Sequence, residues 1–476
     1  MSESPISSSS SSPKKGTISE NNAEDSAPPS SSSQKVPSKA SSNILILNYD
    51  CLERLFSLLS LEDQLNFSRS NREIECMFRN YAQRKYKHIP EDITDSLKGS
   101  DLEYLVEQVN EHVISYESPI AYIPPVYPSP RYKEELRLLR MHCPMLRCLS
   151  MTFSGPHWED FNQLKNLNTL HASLQFSRHD VFEKFFLNLS KNLPCLRKLV
   201  LVAPDYNGKG LHVLEKLQHL EIDDFSCLDA TYLTDCCIKM KNLHFLKIGR
   251  WPNNLTNKNL SAIVANCRNL ETFGFTDNAL LDNVTYERVC ELPRLKHLVV
   301  DLERLERPGL IEGLVRRTGT PLESLILSRS NRCKNQIEHI CDITSLRELW
   351  LGSEDDDFSV EGFMKLKSLE YLHLQIPYIT NNHLVELLLG CPRLRVLNVL
   401  WRSSNINSDL ISLLNSSLKK LKETNREKIS IYLDESSVDW EENSSFKLDN
   451  IEIINGALEE VPILTKSSSI FDADSF

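Results

Sequence analysis

The stretch "LRELWLGSEDDDFSVEGFMKLKSLEYLHLQIPYITNNHLVELLLGCPRLRVLNV" (346–399) says one thing three times. The phrase L-x-x-L-x-L, or a close variant, opens at Leu346, Leu369 and Leu394, and a helix-like run, "NNHLVELLLGC" (381–391), fills the last interval. Alternation of apolar residues with others is the period of a strand with one buried face. A short strand followed by a short helix cannot bury its apolar side alone. Neighbours that stack close one continuous core.

Working outward, the phrase returns eleven times, with first leucines at 146, 167, 196, 217, 243, 270, 295, 322, 346, 369 and 394. The intervals run from 21 to 29 residues with a mean near 25, inside the roughly 20–29 of leucine-rich repeats. A second helix-like run, "NKNLSAIVANC", lies at 257–267. The expected fold is therefore α/β: a leucine-rich-repeat solenoid over 143–433, a curved parallel sheet with outer helices. In such a phrase the leucines point inward and the residues between them face the concave side. In the last three repeats these are Glu348, Trp350 and Gly352; Tyr371, His373 and Gln375; and Val396, Asn398 and Leu400, followed by Trp401. Trp350, Tyr371, His373 and Trp401 are the candidate target-binding residues, because exposed aromatics among polar groups are what protein interfaces favour. Phe245 and Lys247, near Trp251, are a second candidate. The alternative is that these rings pack on each other or on the C-terminal tail. The run Glu354 to Asp357 reads as a solvated acidic loop.

The flanks differ. Residues 1–42 hold 17 serines and almost no large apolar residue, a composition that cannot offset its ordering entropy, so a disordered tail is expected; "SPKKG" (12–16) is weak as an import signal. Residues 43–89 start abruptly with apolar periodicity. Leu52, Leu55, Phe56 and Leu59 mark one helix face, Ser60 with Asp63 an N-cap, and Ile74, Phe78 and Tyr81 a third helix. Residues 90–142 read as a linker and irregular first repeat, with a helix on Leu102, Leu105, Val106 and Val109, a strand at "HVISY" (112–116), and a loop with five prolines at 118–131. Residues 434–476 carry 11 acids and 2 lysines, most of the net charge of −11. They read as an acidic tail with one strand at "NIEII" (450–454), able to fold back over the concave patch.

The negative charge argues against nucleic-acid binding. No apolar run reaches the ~20 residues of a membrane span and no secretory h-region is present, so cytosol or nucleus is expected, with the 13 cysteines reduced. No C-x-x-C, H-E-x-x-H, G-x-S-x-G or phosphate-binding glycine loop occurs, so no cofactor, metal or catalytic residue is assigned.

The repeats resemble the cysteine-containing leucine-rich repeats of F-box proteins. Cys143, Cys267 and Cys391 stand three residues before a strand leucine, and "LTNKNL" (255–260), "ITNNHL" (379–384) and "LTDCCI" (233–238) match that subclass's helix entry. Residues 47–89 resemble an F-box. The family's Leu-Pro-x-Glu is Leu47-Asn48-Tyr49-Asp50 here, its leucine-rich helix is Cys51 to Leu59, and its Asp-Leu pair is Asp63-Gln64, with Leu65 next; Ile74 stands where an aromatic is usual. The resemblance implies docking on the Skp adaptor, and through it a cullin, with Leu47, Leu52, Leu55, Phe56, Leu59 and Leu65 shared between the F-box core and the adaptor. It further implies a non-catalytic substrate-recognition subunit whose protein targets are ubiquitinated and degraded by the proteasome. The alternative is a repeat scaffold whose degenerate F-box engages no ligase. A leucine-rich-repeat inhibitor or receptor ectodomain is a third reading, and it lacks the expected signal peptide and disulfide caps.

Overall fold

Asn48 opens the first helix by accepting the Cys51 backbone N–H on its side chain at 2.9 Å. The computed structural model describes residues 44, 47–97, 99–119, 131–155, 158–176, 178–223, 227–249, 254–276, 281–301, 308–328, 334–352, 359–376, 379–399, 406, 409–422, 427–433, 445–448, 450–456 and 458. Helices α1 (Tyr49–Leu58), α2 (Leu61–Arg69) and α3 (Arg72–Lys85) surround one aromatic cluster. The Phe56 ring lies 5.6 Å from Phe67, 5.2 Å from Phe78 and 5.5 Å from Tyr81. Ser60 caps α2: its hydroxyl accepts the Asp63 N–H at 3.2 Å and donates to the Asp63 carboxylate at 2.7 Å.

The chain then enters the sheet without a break. Strand β1 (His88–Ile89) is followed by α4 (Glu91–Ser96), α5 (Gly99–Val109), β2 (Ser115–Glu117) and α6 (Arg131–His142). Leu102, Leu105, Val106 and Val109 of α5 are all buried. This helix packs on α2 and α3 on one side and on α6 on the other. Arg69 pairs with Asp101 at 2.6 Å, the Ser68 hydroxyl meets Tyr104 at 3.1 Å, and Arg79 donates to the Gln108 side chain at 3.1 Å. Two repeats thus precede β3, one from β1 to β2 and one from β2 onward, 27 and 33 residues long by the pairing of His88 with Ser115 and of Ser115 with Cys148. Most of the proline-rich loop, 120–130, lies outside the described residues.

Each of the eleven phrases starts a strand two residues after its first leucine: β3 (Cys148–Phe153), β4 (Thr169–Leu174), β5 (Lys198–Val202), β6 (His219–Asp223), β7 (Phe245–Ile248), β8 (Thr272–Thr276), β9 (His297–Asp301), β10 (Ser324–Ser328), β11 (Glu348–Gly352), β12 (Tyr371–Gln375) and β13 (Val396–Val399). The strands pair in chain order and in parallel. Leu298 sits between Phe273 and Leu325, and Leu349 between Leu325 and Leu372, so the leucines stack in rows that are fully buried. Three further strands follow: β14 (Ile429–Leu433), β15 (Ser445–Leu448) and β16 (Ile451–Asn455). β16 pairs with β14, and β15 closes the 16-stranded sheet as its one antiparallel member. The strand expected at 450–454 is β16; β14, β15 and β16 lack the leucine phrase that marks β3 to β13.

Repeat length decides what crosses the outer face. The intervals of 21, 21 and 23 residues are bridged by single 3-10 turns at Trp158–Gln163, Leu211–Val213 and Glu361–Lys365. Intervals of 24 or more carry α-helices: α7 (His179–Asn192), α8 (Ala230–Lys239), α9 (Asn257–Asn266), α10 (Asn283–Glu287), α11 (Pro308–Arg316), α12 (Lys334–Ile340) and α13 (Asn381–Gly390). A 3-10 turn advances ~2.0 Å per residue against ~1.5 Å for an α-helix, so it returns the chain to the next strand with fewer residues. The last helix is α14 (Asp409–Lys422). Thr256 and Thr380 cap α9 and α13 with capping boxes completed by Asn259 and His383. The "LTDCCI" stretch departs from expectation. It lies inside α8, which starts at Ala230 because Asp229 accepts the Thr231 N–H at 2.7 Å and captures the cap position earlier.

Cys143, Cys267 and Cys391 are buried between repeats. The Cys391 thiol donates to the Phe363 carbonyl at 3.4 Å, and burial pushes the Cys143 thiol up to about 12. These are packing residues at the repeat interfaces.

Candidate functional site

Two surfaces hold the candidate residues. The first is the outer side of α1. The six residues expected to share the docking surface divide by depth. Leu52, Phe56 and Leu65 are buried within the helical unit, so they support a surface rather than form one. This corrects the expectation. Residues at i and i+4 share a helix face, and the pair 52/56 is turned toward Phe78 and Tyr81. Leu55 and Leu59 are half-buried. Leu58, which periodicity did not single out, is 72% exposed. Cys51, Leu55 and Leu58 make an i, i+4, i+7 stripe on the flank of the buried 52/56 face, with Cys51 exposed. Ahead of that unit, Leu47 is 40% exposed.

Two departures from the F-box pattern are compensated locally. Asn48, in place of proline, supplies the N-cap described above. Gln64, in place of leucine, is buried, with its amide donating to the Leu59 carbonyl at 3.0 Å and its oxygen accepting the Tyr86 hydroxyl at 2.8 Å. A buried amide bonded on both sides avoids the penalty of an unpaired polar group.

The second surface is the concave face, and it carries two polar clusters. In the N-terminal half, His219 donates to Glu221 at 2.8 Å, and Lys247 approaches the same carboxylate at 3.5 Å. Burial pushes the Glu221 carboxyl up, but the His219 hydrogen bond and the Lys247 charge outweigh it and hold it at about 2. Phe245 stacks flat on His219 with ring centroids 3.8 Å apart. Nearby, burial pushes His171 down to about 4. Phe245 and Lys247 are thus engaged within the cluster; Trp251 lies outside the described residues.

In the C-terminal half, the register aligns Ile326, Trp350, His373 and Asn398 in one row across β10 to β13, and Ser324, Glu348 and Tyr371 in the row beside it. Trp350 and Tyr371 are half-buried and lie on adjacent strands. The Trp350 and His373 rings are 5.9 Å apart. His373 departs from expectation: it is fully buried, as are Glu348 and Asn398, so it lies beneath the surface that Trp350 and Tyr371 present. The Ser324 hydroxyl donates to Glu348 at 2.7 Å, and the Asn398 amide meets His373 Nδ1 at 3.3 Å. Trp401 and the acidic run at 354–357 lie outside the described residues. Sequence periodicity places residues on a face but not at a depth, and so it missed the burial of Glu348, His373 and Asn398 across two neighbouring rows.

Among the described residues no group of side chains is placed to hold a metal ion, and no helix is long and apolar enough to cross a membrane.

The fold and these two faces define the class: a leucine-rich-repeat α/β solenoid with an N-terminal helical unit. No protein-family model matches the sequence, and no curated protein matches it. Among solved structures, the chain is similar to a chain in the crystal structure of the yeast Rad7 and Elc1 complex, at 15% identity over 83% of this chain and 98% of that one, with a TM-score of 0.41. It is also similar to a leucine-rich-repeat protein of Leptospira interrogans, at 13% identity over 68% of this chain and 91% of that one, with a TM-score of 0.33.

Proposed function

We propose that the chain is the substrate-recognition subunit of a Skp–cullin–F-box ubiquitin ligase. The helical unit docks on the Skp adaptor, the repeats hold a protein target, and the complex ubiquitinates that target for degradation in the cytosol or nucleus. The chain supplies no catalysis of its own. The observation that carries this reading is the Cys51–Leu55–Leu58 stripe on the first helix, with Cys51 and Leu58 exposed and Leu55 half-buried, beside a core of Leu52, Phe56, Leu65, Ile74, Phe78 and Tyr81. A small helical module presents such i, i+4, i+7 anchors to a partner groove. The unit is bonded to the first repeats through α5, so an adaptor held there is held in fixed relation to the repeats.

The test is co-precipitation of the Skp adaptor with the full-length chain and with a Leu55→Asp, Leu58→Asp variant. Burying one leucine against a partner is worth roughly 1.5–3 kcal/mol, and an aspartate there must also lose its water. Adaptor capture should fall at least about a hundredfold, an affinity change of about 2.7 kcal/mol. Equal capture by both proteins would remove α1 as the docking face. Absence of capture by the wild type favours the non-ligase scaffold.

A further inference from the structure

The shortest outer bridge between strands leaves a gap. The three intervals closed by 3-10 turns use six residues at Trp158–Gln163, five at Glu361–Lys365 and three at Leu211–Val213. The three-residue turn packs between α7 and α8, which are 14 and 10 residues long. A bridge that short cannot fill the layer that its neighbours fill at the density of a protein interior. A recess of about 480 Å3 remains at the edge where the chain enters β5 and β6. That volume lies within the roughly 300–1,000 Å3 of small-molecule sites.

The lining divides by chemistry. Its apolar part is Leu193, Leu196, Leu214 and Leu217 from the two strand-entry turns, with the half-buried Val213 beside them. Its charge comes from separate elements: Lys216 from the turn before β6 and Lys239 from the last residue of α8, against one acid, Glu215. All three are exposed, and among the described residues neither lysine has an ion-pair or hydrogen-bond partner for its ammonium. The dipole at the C-terminal end of α8 draws a cation, which accounts for Lys239 alone, since Lys216 belongs to no helix. Two positive charges and one negative leave the lining with a net charge of plus one. His212 lines the same recess, and its buried Nδ1 has no hydrogen-bond partner among the described residues. With the proton on Nδ1, that atom is a further donor for a ligand oxygen.

We propose that this recess binds a small monocarboxylate with an apolar body, an aliphatic or aryl acid. The body covers the leucines and Val213, removing apolar surface from water. The carboxylate faces the ammonium groups of Lys216 and Lys239, where a charge-assisted hydrogen bond is stronger than a neutral one. The net charge of the lining complements one negative charge, and Glu215 opposes a second. A dianion such as phosphate therefore fits less well, and it has no body for the apolar lining. None of the lining residues belongs to α1 or to the concave rows, so the site is separate from the surfaces assigned to the adaptor and the target.

The experiment titrates anilinonaphthalene sulfonate, an aryl monoanion that fluoresces in apolar surroundings, onto the full-length chain and then displaces it with octanoate. Saturable dye binding that octanoate removes is expected. Octanoate should compete at least about tenfold better than octanol, which lacks the charge, and than acetate, which lacks the body. A Lys216→Glu, Lys239→Glu variant should bind octanoate at least about tenfold more weakly. Lys165→Glu makes the same kind of charge change on an exposed residue outside the recess, and should stay within about twofold of the wild type. Ser190→Trp, which fills the recess from α7, should remove binding with both lysines in place. These side chains are all exposed, so an unchanged denaturant midpoint checks that each variant is folded. The lysine variant keeps the test decisive if Ser190→Trp does not fold. Absence of octanoate-displaceable binding, equal competition by octanol or acetate, or undiminished binding by the lysine variant overturns the proposal. Neither readout involves the adaptor or a target, so failure here and failure of the docking proposal are distinguishable.

Discussion

Leu298→Ala lowers the unfolding free energy by about 2–5 kcal/mol, the cost of a cavity left by a fully buried leucine. Leu298 is fully buried in the middle of the sheet, between Phe273 and Leu325. Each repeat contacts only its neighbours, so array stability is close to a sum of repeat and interface contributions. A cavity at β9 weakens two interfaces at once, because the same leucine row supports β8 and β10. The denaturant midpoint should fall with little change in slope if the array still unfolds as one cooperative unit. A substitution of exposed residues stays within about 0.5 kcal/mol. A loss that small at Leu298 would mean that the strand faces are assigned the wrong way round.

The second large effect separates two residues two positions apart on α1. Phe56→Ala should destabilise the helical unit by about 3–5 kcal/mol, since its ring touches Phe67, Phe78 and Tyr81 and nothing nearby can refill the space. Leu58→Asp should change stability by less than about 0.5 kcal/mol, because the side chain already faces water. If the proposed docking holds, both variants should lose the adaptor, but for different reasons. Phe56→Ala loses it with exposed amides in α1 to α3 by hydrogen exchange. Leu58→Asp loses it with those amides still protected. If the two variants unfold α1 to the same extent, the assignment of Leu58 to the outside of the unit is wrong.

The repeat phase was legible to the residue. Eleven leucines each predict a strand that starts two positions later, because side-chain alternation and a buried leucine row leave one register in which the apolar faces stack. Strands without the phrase were harder. β1 is two residues long, too short to alternate; the strand expected at 112–116 is the three-residue β2 at 115–117; β14 and β16 replace leucine with isoleucine, β15 carries Phe446 instead, and none keeps the constant interval. The helical entries were legible where Thr256 and Thr380 cap, and misread at 233–238, where Asp229 caps first. For the candidate sites, periodicity gave the face but not the depth. It grouped Leu52 and Phe56 with the docking leucines because both belong to one apolar stripe, and it passed over Leu58 because an exposed leucine breaks no pattern. The buried group of Glu348, His373 and Asn398 depends on side chains 25 residues apart in sequence, which only the sheet register brings together.

The most direct test of the account is reconstitution of the purified full-length chain with the Skp adaptor and a cullin, followed by a mass measurement of the product. The account predicts one ternary complex containing a single copy of each protein for the wild type, and only the adaptor–cullin pair with free chain for the Leu55→Asp, Leu58→Asp variant, whose repeats remain folded. A wild-type chain that stays free at micromolar adaptor, or a variant that enters the complex as readily as the wild type, would contradict it.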